Sequence, residues 1–234
     1  MNKLAVITGA SKGIGLATAK LFAQHDYRVV SISRSSPPSD EIVHLAIDLA
    51  DSGWRHRYVG ALEKTIAGAN EITLIHNAGL LYKDSTVDVS DEALRTVLEV
   101  NVVAAAQLNQ LVLPSMKVGS SILYVGSTLS EKAVAGAFSY SVSKHATVGL
   151  MRATCQDLAG TGIHTACICP GFTDTEMLRA HVGDNEKILS AIAAGISFGR
   201  LIKPEEIAQT LYFCARNPVI NGAVIHANLG QIET

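Results

Sequence analysis

Charge is scarce in this sequence. Only 17% of the 234 residues are Asp, Glu, Lys or Arg. A disordered chain stays solvated through high charge and low hydrophobicity, so that class is excluded. The charges nearly cancel, at a formal −2. A nucleic-acid binder is expected to show a basic surplus or stripe, and none is visible. Cysteine is equally sparse: Cys155, Cys167, Cys169 and Cys214 form no CxxC pair, and no metal site is expected. Cys167 and Cys169 alternate along an apolar run, which places them on one face of a strand as buried, reduced thiols. No basic neighbour in sequence would activate a cysteine as a nucleophile. Long apolar runs are missing as well. Residues 4–7 stop at Thr8-Gly9, too short for a signal peptide, and a helical candidate near 100–113 is broken by Asn101, Gln107, Asn109 and Gln110. No membrane span is expected, and the expected compartment is the cytoplasm.

Apolar side chains are plentiful. They make up 48% of the chain, and the mean hydropathy is +0.26, enough for a large core. Strand-like stretches at 4–8, 27–33, 42–47, 72–76, 121–126, 163–169 and 223–226 alternate with helical spacing at 13–25, 51–67, 91–116, 139–159 and 204–214. Ser90 is the expected cap of the third helix, and Pro114 its end or kink. This order, with near-continuous apolar strands, predicts an α/β fold of three layers, a parallel sheet covered by helices on both faces. No linker or repeat divides residues 1–234, so one domain is expected.

The first strand runs into Thr8-Gly9-Ala10-Ser11-Lys12-Gly13-Ile14-Gly15. Here Gly9 permits a tight turn, Gly13 lets backbone approach a pyrophosphate, and Gly15 lets the helix pack closely on the strand. Free N–H groups at the helix start favour an anion. An ordinary tight turn could use such glycines, but their place between a strand and an amphipathic helix points to dinucleotide binding. The second strand ends in Ser33, Arg34 and Ser35. NAD binders usually place a carboxylate there for the ribose 2′-hydroxyl. A carboxylate would repel a 2′-phosphate, whereas Arg34 can donate a bidentate pair to one, and Lys12 adds a second positive charge. NADPH is the expected cofactor.

Tyr140 and Lys144 stand four residues apart on one helix face, and Ser127 ends the fifth strand thirteen positions before Tyr140. A phenol, with an ordinary pKa of about 10, is a reluctant acid–base at neutral pH. A nearby ammonium and an oxidised nicotinamide both favour its phenolate. Such a tyrosine can protonate a developing alkoxide or take its proton back, while Ser127 holds the substrate oxygen. A buried tyrosine beside a snorkelling lysine is the structural alternative.

These residues together resemble the short-chain dehydrogenase/reductase family over essentially the whole chain. Residues 8–15 are similar to its cofactor motif, Asn77-Ala78-Gly79 to its NAG motif, Asn101 to its helix asparagine, and Pro170-Gly171-Phe172 to its PG motif. The resemblance implies a doubly wound Rossmann fold with seven parallel strands. It assigns catalysis to Asn101, Ser127, Tyr140 and Lys144, with Lys144 also on the nicotinamide ribose and Asn101 holding a water that relays protons from Lys144. Asp48, with Leu49 beside it, matches the adenine contact, and Thr173 and Thr175 match contacts to the carboxamide and phosphates. The substrate is expected to be a small carbonyl or alcohol compound under a lid at 174–198, whose Met177, Leu178, Ile188, Leu189, Ile192, Ile196 and Phe198 either face it or pack on the core. Val134 and Phe138 are further candidates for the pocket. The overall likeness is to 3-oxoacyl-thioester reductases. A homodimer or homotetramer is implied, although Asn228-Leu229-Gly230 replaces the family's aspartate-glycine-glycine and the 217–222 connection is short. A non-catalytic NADP(H) sensor and an NAD-dependent alcohol dehydrogenase are the alternatives.

Overall fold

The computed structural model describes residues 2–183 and 185–232. Among them the strands are β1 (Lys3–Thr8), β2 (Tyr27–Ser33), β3 (Ile42–Ala46), β4 (Glu71–His76), β5 (Ser121–Val125), β6 (His164–Pro170) and β7 (Ala223–Ala227). The helices are α1 (Gly13–Gln24), α2 (Trp54–Ile66), α3 (Asp91–Leu98), α4 (Ala104–Val112), α5 (Phe138–Asp157), α6 (Glu176–Val182), α7 (Glu186–Ala194) and α8 (Pro204–Arg216). All seven strands are parallel, in the order β3-β2-β1-β4-β5-β6-β7. The chain reverses its direction of winding between β1 and β4, and ligands of such sheets bind at the carboxyl ends there.

Two-residue alternation sorts the strand side chains into two cores. Leu4, Val6, Val30, Ile32, Leu74, Ile122 and Tyr124 pack with Trp54, Leu108, Val148 and Met151 from α2, α4 and α5. Ala5, Ile7, Val29, Ile75, Leu123 and Ile168 pack with Ala19, Phe22, Ile207 and Leu211 from α1 and α8. Every residue of β5 and β6 is buried, which explains their unbroken apolar runs. Each fully buried Leu or Ile side chain contributes about 1.5–3 kcal/mol.

Three departures from the sequence reading concern helices. The second helix starts at Trp54, three residues later than expected, because Asp51 accepts the Gly53 N–H at 2.9 Å and holds a turn. The third is capped by Ser90, which accepts from the Ala93 N–H at 3.1 Å, but it widens into a π-helical turn at Glu99–Val103 before α4. It then tightens into a 3-10 turn at Leu113–Ser115, where Pro114 stops it. The stretch Asp91–Ser115 is long and apolar enough to cross a membrane by length and composition, which corrects the expectation that no stretch is. Its apolar side lies on the sheet through Ala104, Leu108 and Val112.

The carboxyl-terminal departures also have a shape. Leu229 adopts a left-handed φ of +51°, in the middle of the triplet that replaces aspartate-glycine-glycine. The segment after it ties to the lid, with Ser197 N donating to Gly230 O at 3.0 Å and Ile232 N to Gly195 O at 2.9 Å.

Candidate active site

The floor of the site is the glycine turn between β1 and α1. The Thr8 hydroxyl oxygen accepts the N–H groups of Asn77 and Ala78, both at 2.9 Å. The Asn77 amide returns two bonds, to Thr8 O at 2.9 Å and Gly9 O at 3.1 Å. Gly9 and Gly13 hold φ of +69° and +54°, a region side chains rarely occupy. A Cβ on Gly15 would stand 2.3 Å from Gly9 O and 2.5 Å from Asn77 Nδ2. The close approach at Gly15 is therefore to the turn and to Asn77, not to the strand as the sequence suggested. Ser11 and Ile14 are half-buried and Lys12 is exposed. Lys12 precedes α1 without a side-chain cap, so the first N–H groups of that helix remain available to an anion.

At the end of β2, Ser33 is buried and donates to Ser35 O at 2.8 Å, while Arg34 and Ser35 are exposed. No ion pair of Arg34 occurs among the described residues. Asp48 is exposed and accepts the Ala50 N–H at 3.0 Å. It shapes a turn and does not cap α2, which follows Gly53. Leu49 is buried in the core.

The first turn of α5 carries Tyr140, half-buried, and the next turn carries Lys144, 4% exposed. Lys144 Nζ lies 5.4 Å from the Tyr140 ring centroid and donates to Val125 O at 2.7 Å. Ser127 begins a 3-10 turn, Thr128–Ser130. Its Oγ accepts the Leu129 N–H at 3.1 Å, which leaves the hydroxyl hydrogen to donate elsewhere. Gly126, just before it, crosses both strand cysteines: a Cβ there would lie 2.8 Å from the sulfur of Cys167 and of Cys169. Those sulfurs are 3.9 Å apart, buried and free, as their alternation predicted. The neighbouring Cys169 sulfur and burial push the Cys167 thiol up, so it stays protonated.

Asn101 sits in the π-helical turn, where Ala104 N reaches back to Glu99 O. Both N–H donors of its amide are used and its oxygen accepts one bond: Oδ1 accepts from Leu80 N at 2.7 Å, and Nδ2 donates to Leu80 O at 3.1 Å and Ser143 Oγ at 2.8 Å. Gly79 borders both side chains, since a Cβ there would lie in ordinary contact, 3.9 Å from Asn101 Oδ1 and 3.8 Å from Lys144 Nζ. A cavity of about 10 Å³ is lined by Asn101, Lys144, Thr8, His76 and Val125, close to the size of one water. Burial pushes His76 down to about 4, and its Nε2 meets Asn109 Oδ1 at 2.8 Å.

The lid springs from β6. Thr173 donates to Gly171 O at 3.1 Å, and its neighbours are knitted to Ile202, with Asp174 N on Ile202 O at 2.9 Å and Ile202 N on Phe172 O at 3.0 Å. Gly171 lies under Asn228. Thr175 caps α6 by accepting from Leu178 N at 3.3 Å. Arg179 pairs with Asp174 at 2.8 Å inside the lid and Arg200 with Glu206 at 2.7 Å just after it, while the lid's two ends are tied by Asp174 N on Ile202 O and by Ser197 N on Gly230 O. The Arg200 guanidinium holds the Glu206 carboxyl down at about 2. The two readings of the apolar lid residues divide: Leu189 and Ile196 are buried, whereas Met177, Ile188 and Phe198 are exposed, as is Val134. Asp184, within the expected lid, lies outside the described residues. A cleft of about 340 Å³ runs between α1 and the lid, lined by Gly13, Leu16, Lys20, Thr175 and Arg179 among others.

The sequence reading missed Asp84, Ser143 and His76 as residues around the site. Their partners are 55, 42 and 33 positions away in the chain, and no local motif marks such contacts.

Comparison with known proteins gives the family and the fold. The family model for short chain dehydrogenase matches residues 3–186. Carbonyl reductase family member 4 of Xenopus tropicalis is 31% identical, with 96% of each chain covered. The 3-oxoacyl-[acyl-carrier-protein] reductase FabG of Escherichia coli is 28% identical, covering 98% of this chain and 97% of that one. A short chain dehydrogenase from Burkholderia cenocepacia, solved in complex with NADP, superposes with a TM-score of 0.86 at 26% identity, over 98% of this chain and 97% of that one.

Proposed function

The chain belongs to the short-chain dehydrogenase family of oxidoreductases, and we propose that within it the protein is an NADPH-dependent carbonyl reductase with Tyr140 as proton donor. One observation carries this reading: a buried Lys144 ammonium poised over the Tyr140 ring at 5.4 Å, at the carboxyl ends of the strands beside the glycine turn. The residues fit a dinucleotide. Gly9 and Gly13 hold the turn at positive φ, Gly15 lets the helix close on Gly9 O and Asn77 where a Cβ would collide, and α1 opens with uncapped N–H groups. Gly9, Ser11, Lys12, Gly13, Ile14 and Gly15 would hold the pyrophosphate. Asp48 and Leu49 would border the adenine, and Asn77, Ala78, Gly79, Pro170, Gly171, Thr173 and Thr175 the nicotinamide half. When bound, the cofactor supplies hydride.

The chain's own residues then handle the substrate oxygen. Ser127 donates its free hydroxyl hydrogen to that oxygen and fixes it. Tyr140 gives up its phenolic proton as negative charge develops there. Lys144, oriented by Val125 O, binds the nicotinamide ribose and stabilises the charge left on the phenol. Asn101, held by its bonds to Leu80 and Ser143, lines the small cavity beside Lys144, which supports a relay water there. The exposed lid face at Met177, Ile188 and Phe198 suits a partly apolar ketone, aldehyde or thioester.

NADPH is favoured over NADH because Arg34 is exposed and free to pair with a 2′-phosphate. Arg34→Ala is expected to weaken NADPH binding by about 1.5–3 kcal/mol, about ten- to a hundredfold, and to spare NADH; equal losses for the two in a fluorescence titration would refute the preference. Tyr140→Phe should cut reduction of acetoacetyl-coenzyme A and a panel of ketones and aldehydes by at least about 100-fold while NADPH still binds. Normal turnover would move the proton donor elsewhere, and no turnover by the unaltered protein across the panel would favour a nucleotide sensor. We also read the chain as a cytoplasmic homodimer or homotetramer. The sheet edge at β7 and the exposed Phe213 and Val219 support subunit contact, and a monomer by light scattering would overturn it.

A further inference from the structure

We propose that Asp84 is a positioning residue for the reaction: from the loop after β4 it caps the helix that bears Tyr140 and so fixes where the phenol stands. The inference rests on Tyr140 being the proton donor. Helix α5 has no cap of its own, because Ala137 precedes it and offers no side-chain acceptor. The acceptor arrives from far along the chain. Asp84 Oδ1 accepts the Ser139 N–H at 3.0 Å, and Oδ2 accepts the Ser139 hydroxyl. The backbone joins in, with Phe138 N donating to Asp84 O at 3.2 Å and Asp84 N donating to Gly136 O at 3.3 Å.

Burial makes this clamp more than a surface cap. Asp84 is 7% exposed and Ser139 fully buried. A carboxylate taken out of water is costly unless donors replace the lost solvent. Here the Ser139 N–H, the Ser139 hydroxyl and the positive end of α5 replace it.

Ser139 is followed directly by Tyr140. The phenol therefore belongs to the turn that Asp84 holds, while Lys144 lies one turn deeper and is held separately by Val125 O. Releasing Asp84 frays the first turn and moves the phenol relative to Lys144 and Ser127. The glycine turn shares none of these bonds, so cofactor binding should not follow. A displacement of about 1 Å at a reacting group costs on the order of 100-fold.

The test compares Asp84→Ala, Asp84→Asn and Ser139→Ala with the unaltered protein, well below their melting temperatures. It uses the panel compound turned over fastest. Asp84→Ala should lower kcat on the order of 100-fold with KM and the NADPH Kd within about twofold. Asp84→Asn keeps an acceptor for the Ser139 N–H and can donate to its hydroxyl, so it should recover most of kcat. Ser139→Ala, which loses one side-chain bond, should fall about fivefold. Hydrogen exchange followed by mass spectrometry gives a readout that needs no substrate: in Asp84→Ala, amides 138–144 should exchange at least about tenfold faster, and amides 8–16 should not change. If Asp84→Ala does not fold, the other two variants decide. Unchanged kcat in both, or a loss of NADPH affinity matching the loss of kcat, would overturn the proposal. Tyr140→Phe run in parallel separates the failures. Activity in that variant sinks the proton-donor reading, whereas a dead Tyr140→Phe beside a fully active Asp84→Ala sinks the positioning role alone.

Discussion

The glycine turn and the lid border the same cleft, yet they are built on opposite terms. In the turn, backbone meets backbone: Gly15 leaves no room for a methyl group, and Asn77 spends its amide on two carbonyls of the turn. In the lid, the ends are tied by Asp174 N on Ile202 O and Ser197 N on Gly230 O, while Met177, Ile188 and Phe198 are exposed. The turn, to which the proposed function gives the pyrophosphate, is held by main-chain contacts. The lid, to which it gives the substrate, keeps three large apolar side chains exposed, the pattern of lower local stability that a moving segment requires.

The hardest test of that contrast is Gly15→Ala. Its methyl would overlap Gly9 O, so a loss of about 3 kcal/mol or more is expected, with NADPH binding abolished. A denaturant midpoint close to that of the unaltered protein would show that the turn yields, and the contrast would collapse.

A second test uses acid. His76 ends β4, directly before the Asn77 that bonds the glycine turn, and is buried neutral, pushed down to about 4. Between pH 6.5 and 4 the unfolded chain takes up a proton that the folded one refuses. Stability is therefore fully present above pH 6.5 and falls as pH drops toward 4, by about 2–3 kcal/mol at this site. Glu206 of α8, just past the lid and held near 2, keeps its charge through that window. Melting curves should slope less steeply with pH in His76→Asn than in the unaltered protein; identical slopes would place the acid sensitivity elsewhere.

The smallest effect should come from the residue that follows the lid. Gly199 has φ of +63° but open space around it. Gly199→Ala should cost only the backbone strain, about 1 kcal/mol, and leave the NADPH Kd alone. A loss as large as that of Gly15→Ala would mean that the lid is as tightly built as the floor.

Most of the cofactor floor was legible from the chain because its constraints are local. Gly9, Gly13 and Gly15 lie within seven residues, and Tyr140 and Lys144 within one helical turn. The α/β order and the single sheet followed from apolar runs of the right length. The reading faltered where long-range contacts decide. It placed the only break of the Asp91 to Met116 helix at Pro114, but Asn101, bonded to Leu80 and Ser143, sits in a π-helical turn well before it. It gave Gly15 the wrong neighbour and passed over Asp84.

By itself, then, the sequence determined the fold class, the glycine turn and the spacing of the tyrosine and lysine, because periodicity and short-range sterics act within a few residues. Only the tertiary structure decided which apolar lid residues are buried, why Gly126 carries no side chain and what caps the helix of Tyr140. Those outcomes depend on which distant surfaces the closed sheet brings within bonding distance, and pairwise contact in space leaves no local pattern in the chain.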